Sequence, residues 1–238
     1  MPADEQPIPS VWARPSRKRE QPLLTRENIV AEAVRLLDEE GAENLSMRRL
    51  GSRLGAGATS LYRHVASKDE LFELALDAVY GDLPLPDTGE WRTTVTEVAR
   101  AMRGIILRHP WLAARLAEAG LAYLGPNMLR QNEHMLGVFE QAGFPPEEAD
   151  HAMTTVTAYV IGIATPEAAW LSMVARSGQS EQEWTERLWP AAERAVQDYP
   201  RLRARYEAQK GGNTSGTNVD TFEYGLQRVL DGLQTRLA

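Results

Sequence analysis

The sequence predicts an all-α chain, with a small three-helix unit near the N-terminus and a larger helical domain after it. Three observations carry this prediction. Apolar residues recur at three- and four-residue spacing through most of the chain, and no segment alternates as a half-buried strand does. Two short helical patterns are joined by the tight turn Gly55-Ala56-Gly57. Charge is unevenly divided: from Arg14 to Lys68 there are 11 Arg and Lys against 7 Asp and Glu, whereas from Asp69 onward 15 face 24. The overall net charge of −7 thus combines a basic quarter with an acidic remainder. Such asymmetry suggests that one end meets a polyanion and the other does not.

Taken in order, residues 1–22 hold five prolines and few apolar residues, and read as a disordered basic arm. It serves either as a solubilising tail or as an arm along a phosphate backbone. Thr25 opens the first helix, whose buried stripe is Ile29, Ala33, Leu36 and Leu37, and Gly41 stops it. Ser46 caps a second helix with Met47, Leu50 and Leu54 inside and Arg48, Arg49 and Arg53 off that face. A third helix spans about 58–64, with Leu61 inside. Ser67 and Glu70 form a capping box for a fourth helix past Leu71 and Leu74. Later helices follow: one from Trp91 to Pro110, one over 127–143, and a long one from Pro145 that is apolar on more than one side and that Pro166 should kink or break. Two shorter helices, a flexible loop at 210–218 and a last helix over 220–237 complete the chain. Domain boundaries are expected at 1–22, 23–69 and 70–238.

Two short helices joined by a glycine-containing turn and propped by a helix on each side is the helix-turn-helix plan. With Leu61 inside, Thr59, Ser60, Tyr62, Arg63 and His64 are left mostly outward. Hydroxyls, a phenol, a guanidinium and an imidazole bond phosphates and base edges, whereas a merely solvated face would more usually carry Glu and Lys. Arg48, Thr59, Ser60, Tyr62, Arg63, His64 and Lys68 are therefore the candidate DNA-binding residues. Arg48 and the 59–64 helix would read bases, and Tyr62, His64 and Lys68 would mostly hold phosphates.

Residues 24–72 resemble the TetR family of transcriptional repressors. The likeness lies in Gly41, the run from Leu45 to Gly55, Ser60-Leu61-Tyr62, His64-Val65 and Lys68. Gly51 stands where the family usually has alanine, at a small cost in helix stability. Past Asp87, "EWRTTVTEVARAMRGIILRHPWLAARL" and "FEYGLQRVLDGL" resemble the C-terminal domain of the tetracycline-repressor branch. The resemblance implies that residues 70–238 bind a small molecule and form a homodimer. In that branch a histidine holds a magnesium–drug complex. Here Leu116 stands near its place and Pro166 near that of an acidic partner, which argues against tetracycline–magnesium as effector.

The effector pocket is expected among Met102, Ile106, Met135, Phe139, Met153, Thr157, Tyr159 and Trp170, and the effector is expected to be apolar or aromatic. The dimer interface is expected at Val156, Val160, Ile163, Phe222, Leu226 and Leu230. His109 reads as a helix-end residue near the last carbonyls. His134 and His151 make no paired-histidine metal motif, and no cofactor is expected. There is no cysteine, no G-x-S-x-G and no phosphate loop, which leaves an enzyme a poor alternative. No apolar run approaches the roughly 18 residues that span a bilayer, so a cytoplasmic protein is expected, with palindromic double-stranded DNA as partner. The rival is a DNA-binding regulator controlled by a protein partner. An enclosed cavity of several hundred Å3 would favour the small molecule; a filled core with an exposed apolar patch would favour the protein.

Overall fold

A computed structural model describes residues 24–119, 124–209 and 214–237, so the N-terminal arm lies outside the described residues. Among these the regular structure is helical, with no strand. The head comprises α1 (Arg26–Glu40), α2 (Met47–Arg53) and α3 (Ala58–Leu61). Thr25 accepts the Asn28 N–H and Ser46 accepts the Arg49 N–H, so both helices start at their expected caps. Gly41, at φ 84°, ends α1. Leu36, Leu50 and Leu61, none of them exposed, fill the centre of this unit.

Two local expectations are corrected. Regular α3 ends at Leu61, and the chain continues through His64 as turns, with His64 N bonded to Leu61 O at 2.9 Å. The Ser67 hydroxyl does accept the Glu70 N–H at 3.0 Å, but the Glu70 carboxylate takes the N–H of Ala66 instead of returning to Ser67. Gly51 also gains a physical reason. A Cβ there would lie 2.7 Å from the Ala56 carbonyl oxygen, so glycine lets α2 pack directly under the turn into α3.

α4 (Lys68–Tyr80) packs against α1 and, at its other end, against α7 (Pro126–Gln141). α5 (Trp91–Arg108), α6 (Trp111–Ala119) and α7 surround α8 (Pro146–Ser177). α9 (Glu181–Ala195), α10 (Pro200–Gln209) and α11 (Thr214–Gln234) follow, and α11 packs on α8. Thr214 opens α11 inside the segment expected to be a loop. Pro166 does not break α8. Both Pro166 and Gly162, whose carbonyl loses its donor there, are on an exposed side, where solvent can replace the missing bond.

Contrary to expectation, α8 is by length and composition apolar enough to cross a membrane. One side of it belongs to the chain's own core through Ala149, Ala152, Val156, Val160, Ala164 and Ala168. The opposite side, Thr155, Ala158, Gly162, Pro166, Ala169 and Met173, is exposed.

Candidate functional site

The outward surface of the head is built by exclusion. Leu61 and Val65 turn inward and are fully buried, which leaves Thr59, Tyr62, Arg63 and His64 exposed and Ser60 half-buried. Tyr62 is 52% exposed, a large apolar ring presented to solvent with its hydroxyl. Lys68 begins α4 beside them, its Nζ 5.5 Å from the Phe72 ring centre.

The three arginines of α2 divide into two kinds. Arg49 pairs with Glu40, and Arg53 bonds Glu32 at 2.5 Å and Glu39 at 2.6 Å. The Glu39 and Glu32 carboxylates push the Arg53 guanidinium further up from its already high value. Both arginines are thus tied to α1. Arg48 and Arg63 make no ion pair among the described residues, and both are exposed. A cation held without an internal counter-charge is available to an external anion. Arg26 and Glu70, 3.2 Å apart, join the starts of α1 and α4 and hold this surface together.

Three ties connect α1 and α4 to the helices that follow. Asp38 on α1 accepts from the Trp111 indole at 2.8 Å and meets His109 Nδ1 at 2.7 Å. The His109 ring therefore serves α1 and not the carbonyls of its own helix. Arg115 stacks 3.8 Å from the Phe72 ring centre on α4. Asp77, near the end of α4 and 8% exposed, accepts the N–H groups of Asn127 and Met128 at 3.0 Å each. Asn127 Nδ2 donates back to Asp77 at 3.1 Å. The residue before α7 is Gly125, which offers no side-chain cap, so α4 supplies the cap in its place.

A cavity of about 50 Å3 lies where α4, α5, α7 and α8 meet. Of the residues expected there, Met102, Met135, Met153 and Thr157 line it, but four do not. Ile106 is wholly buried core. Phe139 packs edge-on with Phe144 and beside Trp91. The Tyr159 hydroxyl is committed to the Phe222 carbonyl at 2.9 Å, and burial raises its phenol. Trp170 meets Trp184 and donates to Glu181 at 3.3 Å. Tyr80, Gln131 and Asn132 complete the polar part of the wall and were not foreseen. Gln131 sits four residues before Met135 and eight before Phe139, on the one buried stripe of α7, so helical spacing could have found it. Burial pushes the Tyr80 phenol up to about 12.

The residues expected at the dimer interface lie mostly inside the single subunit. Val156, Val160, Phe222, Leu226 and Leu230 are all under 5% exposed within one chain. Ile163 is half-buried. Val156 and Val160 also face the cavity. They hold the subunit itself together, because apolar residues on two adjacent helices satisfy one another first. No group of acidic, histidine or cysteine residues among those described could hold a metal ion.

Residues 29–75 match the family model of bacterial regulatory proteins, tetR family, and residues 83–237 match the tetracyclin repressor-like C-terminal domain. An HTH-type transcriptional regulator of Saccharopolyspora erythraea is 39% identical over 94% of this chain and 91% of its own length. The HTH-type transcriptional repressor DrrR1 of Streptomyces coeruleorubidus is 34% identical over 94% of this chain and 82% of its own. Among solved structures, ActR of Streptomyces coelicolor in complex with actinorhodin superposes with a TM-score of 0.70 at 28% identity, over 90% of this chain and 99% of that one.

Proposed function

The chain belongs to the TetR family of bacterial regulatory proteins, and on that premise we propose a homodimeric repressor released from a palindromic operator by a small, mostly apolar effector. It is a DNA-binding transcription regulator and not an enzyme. The observation that carries the reading is the outward cluster of Tyr62, Arg63 and His64 beside Arg48 and Lys68, neither of which makes an ion pair among the described residues. One such cluster per subunit enters one major groove. Two-fold symmetry then demands half-sites about 34 Å apart or a multiple of it. Work on DNA places the protein in the cytoplasm.

The outer face of α8 is the surface we assign to the second copy. Its small residues allow close helix approach, and α11 lies alongside with Tyr224 68% exposed. The effector reading draws on two supports. The cavity wall includes Tyr80 and Leu83, at and just past the end of the α4 helix whose first residue is Lys68, so a molecule that widens the cavity presses on the helix that holds the head. ActR, similar over nearly its whole length, has been solved with a small molecule bound. The void of about 50 Å3 is far below the several hundred expected, and this keeps the protein-partner reading as the second choice. Methionines at 102, 135 and 153 give the wall side chains that re-pack readily.

Linkage tests the proposal. Effector affinity is measured by calorimetry with and without operator duplex, starting with actinorhodin. A regulator of this kind shows effector binding weakened about 5- to 150-fold by operator, and operator binding weakened by the same factor by effector. Equal affinities in the two titrations for every compound that binds would remove the effector reading and advance the protein partner.

A further inference from the structure

One side chain in the cavity wall has a hydrogen-bonding group that no described residue satisfies. Gln131 is 5% exposed, and its Nε2 is sealed from solvent with no acceptor among the described residues. Buried donors in folded proteins are nearly always paired, and an orphan on a residue that lines a cavity marks a place for an acceptor that arrives from outside. The rest of the wall narrows what that acceptor belongs to. None of the lining residues is charged, so an ionised molecule would lose its hydration with no counter-charge in return. Val95, Val98, Met102, Met135 and Met153 offer only apolar surface. Asn132, Thr157 and Tyr80 are uncharged polar groups, and Tyr80 keeps its proton at neutral pH.

We infer that Gln131 is the specificity-determining contact of this cavity and that its ligand is a neutral ring compound carrying a carbonyl oxygen which accepts the Gln131 N–H. This deepens the effector reading above and rests on it for the ligand's regulatory role alone. The carbonyl enters toward α7 and the ring spreads among the methionines, whose rotamers must change because the void of about 50 Å3 is smaller than a ring system. A hydrocarbon of the same shape leaves the Gln131 donor unpaired. A site built around a hydrogen bond discriminates strongly against the analogue that lacks the partner atom.

The experiment compares 1-tetralone with tetralin, which differ by one carbonyl, on the full chain. The wild type should bind the ketone about tenfold more tightly, as expected for one buried hydrogen bond. In Gln131→Met, of similar volume, the two should bind alike, with the loss falling on the ketone. A second readout needs no variant: by NMR, the Gln131 side-chain N–H signal should move with 1-tetralone and not with tetralin. Equal binding by the wild type, a preference that survives in Gln131→Met, an unmoved Gln131 signal, or no binding of either compound would each overturn the inference. Operator release is read separately. A ketone preference without release by any bound compound keeps the Gln131 site and removes the effector reading. Release by other compounds, with no ketone preference, does the reverse.

Discussion

At the scale of single residues, the head separates arginines that hold the fold from arginines that face outward. Arg49 and Arg53 are spent on Glu40, Glu32 and Glu39, whereas Arg48 and Arg63 are not. Alanine at 48 or 63 should therefore lower discrimination between operator and random duplex, by about 1–3 kcal/mol where the contact is a bidentate one to a base. Alanine at 53 should instead shift the urea midpoint and leave the ratio of specific to random binding near its original value. Lys68→Ala should weaken all duplexes about equally and reduce the salt slope by about one charge. Titrations of both duplexes over a range of salt check all three, and an Arg53 variant that loses discrimination would reverse the assignment. The outward set was legible in the sequence because one inward residue, Leu61, fixes the phase of so short a helix. Which arginines were already paired was not legible, because the carboxylates that hold them lie on α1, across a tertiary contact. The same blindness applies to Asp38, whose partners His109 and Trp111 are over 70 positions away.

At the scale of elements, helix starts were legible where a hydroxyl caps its own helix, as at Thr25, Ser46 and Ser67. α7 shows the limit of that logic. Its cap comes from Asp77 on α4, and in the sequence Asp77 is only a polar residue among the apolar ones of a helix. The contact is close: a Cβ on Gly125 would collide with the Asp77 carboxylate. Asp77→Ala leaves two part-buried N–H groups of α7 without their acceptor and should cost about 1–3 kcal/mol. Asp77→Asn keeps one acceptor but sets an amide against the Asn127 amide, so it should fall between the wild type and alanine. Gly125→Ala should destabilise by forcing the two helices apart. Because α4 carries Lys68 at one end and Asp77 and Tyr80 near the other, each of these changes should also alter how far operator binding responds to a bound effector. Urea unfolding and operator titration on the same samples check both effects. An Asp77→Ala chain as stable as the wild type would show that the cap carries no weight. Pro166 leaves α8 unbroken for a related reason: a proline rule describes a regular helix interior, and here the lost bond falls on an exposed side.

At the scale of the whole molecule, an apolar helix face has two possible partners, and sequence periodicity cannot say which side meets which. α8 was legible as doubly apolar, but which of its sides meets the subunit core was not. Val156 and Val160 turn toward the subunit core, and the stripe Thr155, Ala158, Gly162, Pro166, Ala169, Met173 turns out. Small residues made the outer stripe look unremarkable, yet small residues are what let two helix backbones come close. In a two-fold interface a patch meets itself, so one added charge per chain becomes a pair of like charges near the axis. Ala158→Glu with Ala169→Glu places carboxylates at sites that are solvent-exposed in a single subunit, so the chain should fold with its helical circular dichroism intact. Its mass by light scattering should drop from twice 26.5 kDa to 26.5 kDa at micromolar concentration. Operator binding should fall steeply, since one head covers only one half-site. Leu226→Asp gives the contrasting result. Leu226 has no exposed surface, so the aspartate would be buried without a partner and cooperative unfolding itself should be lost. A folded wild-type chain that scatters as a monomer would remove the dimer. A double glutamate variant that stays dimeric would move the interface away from α8.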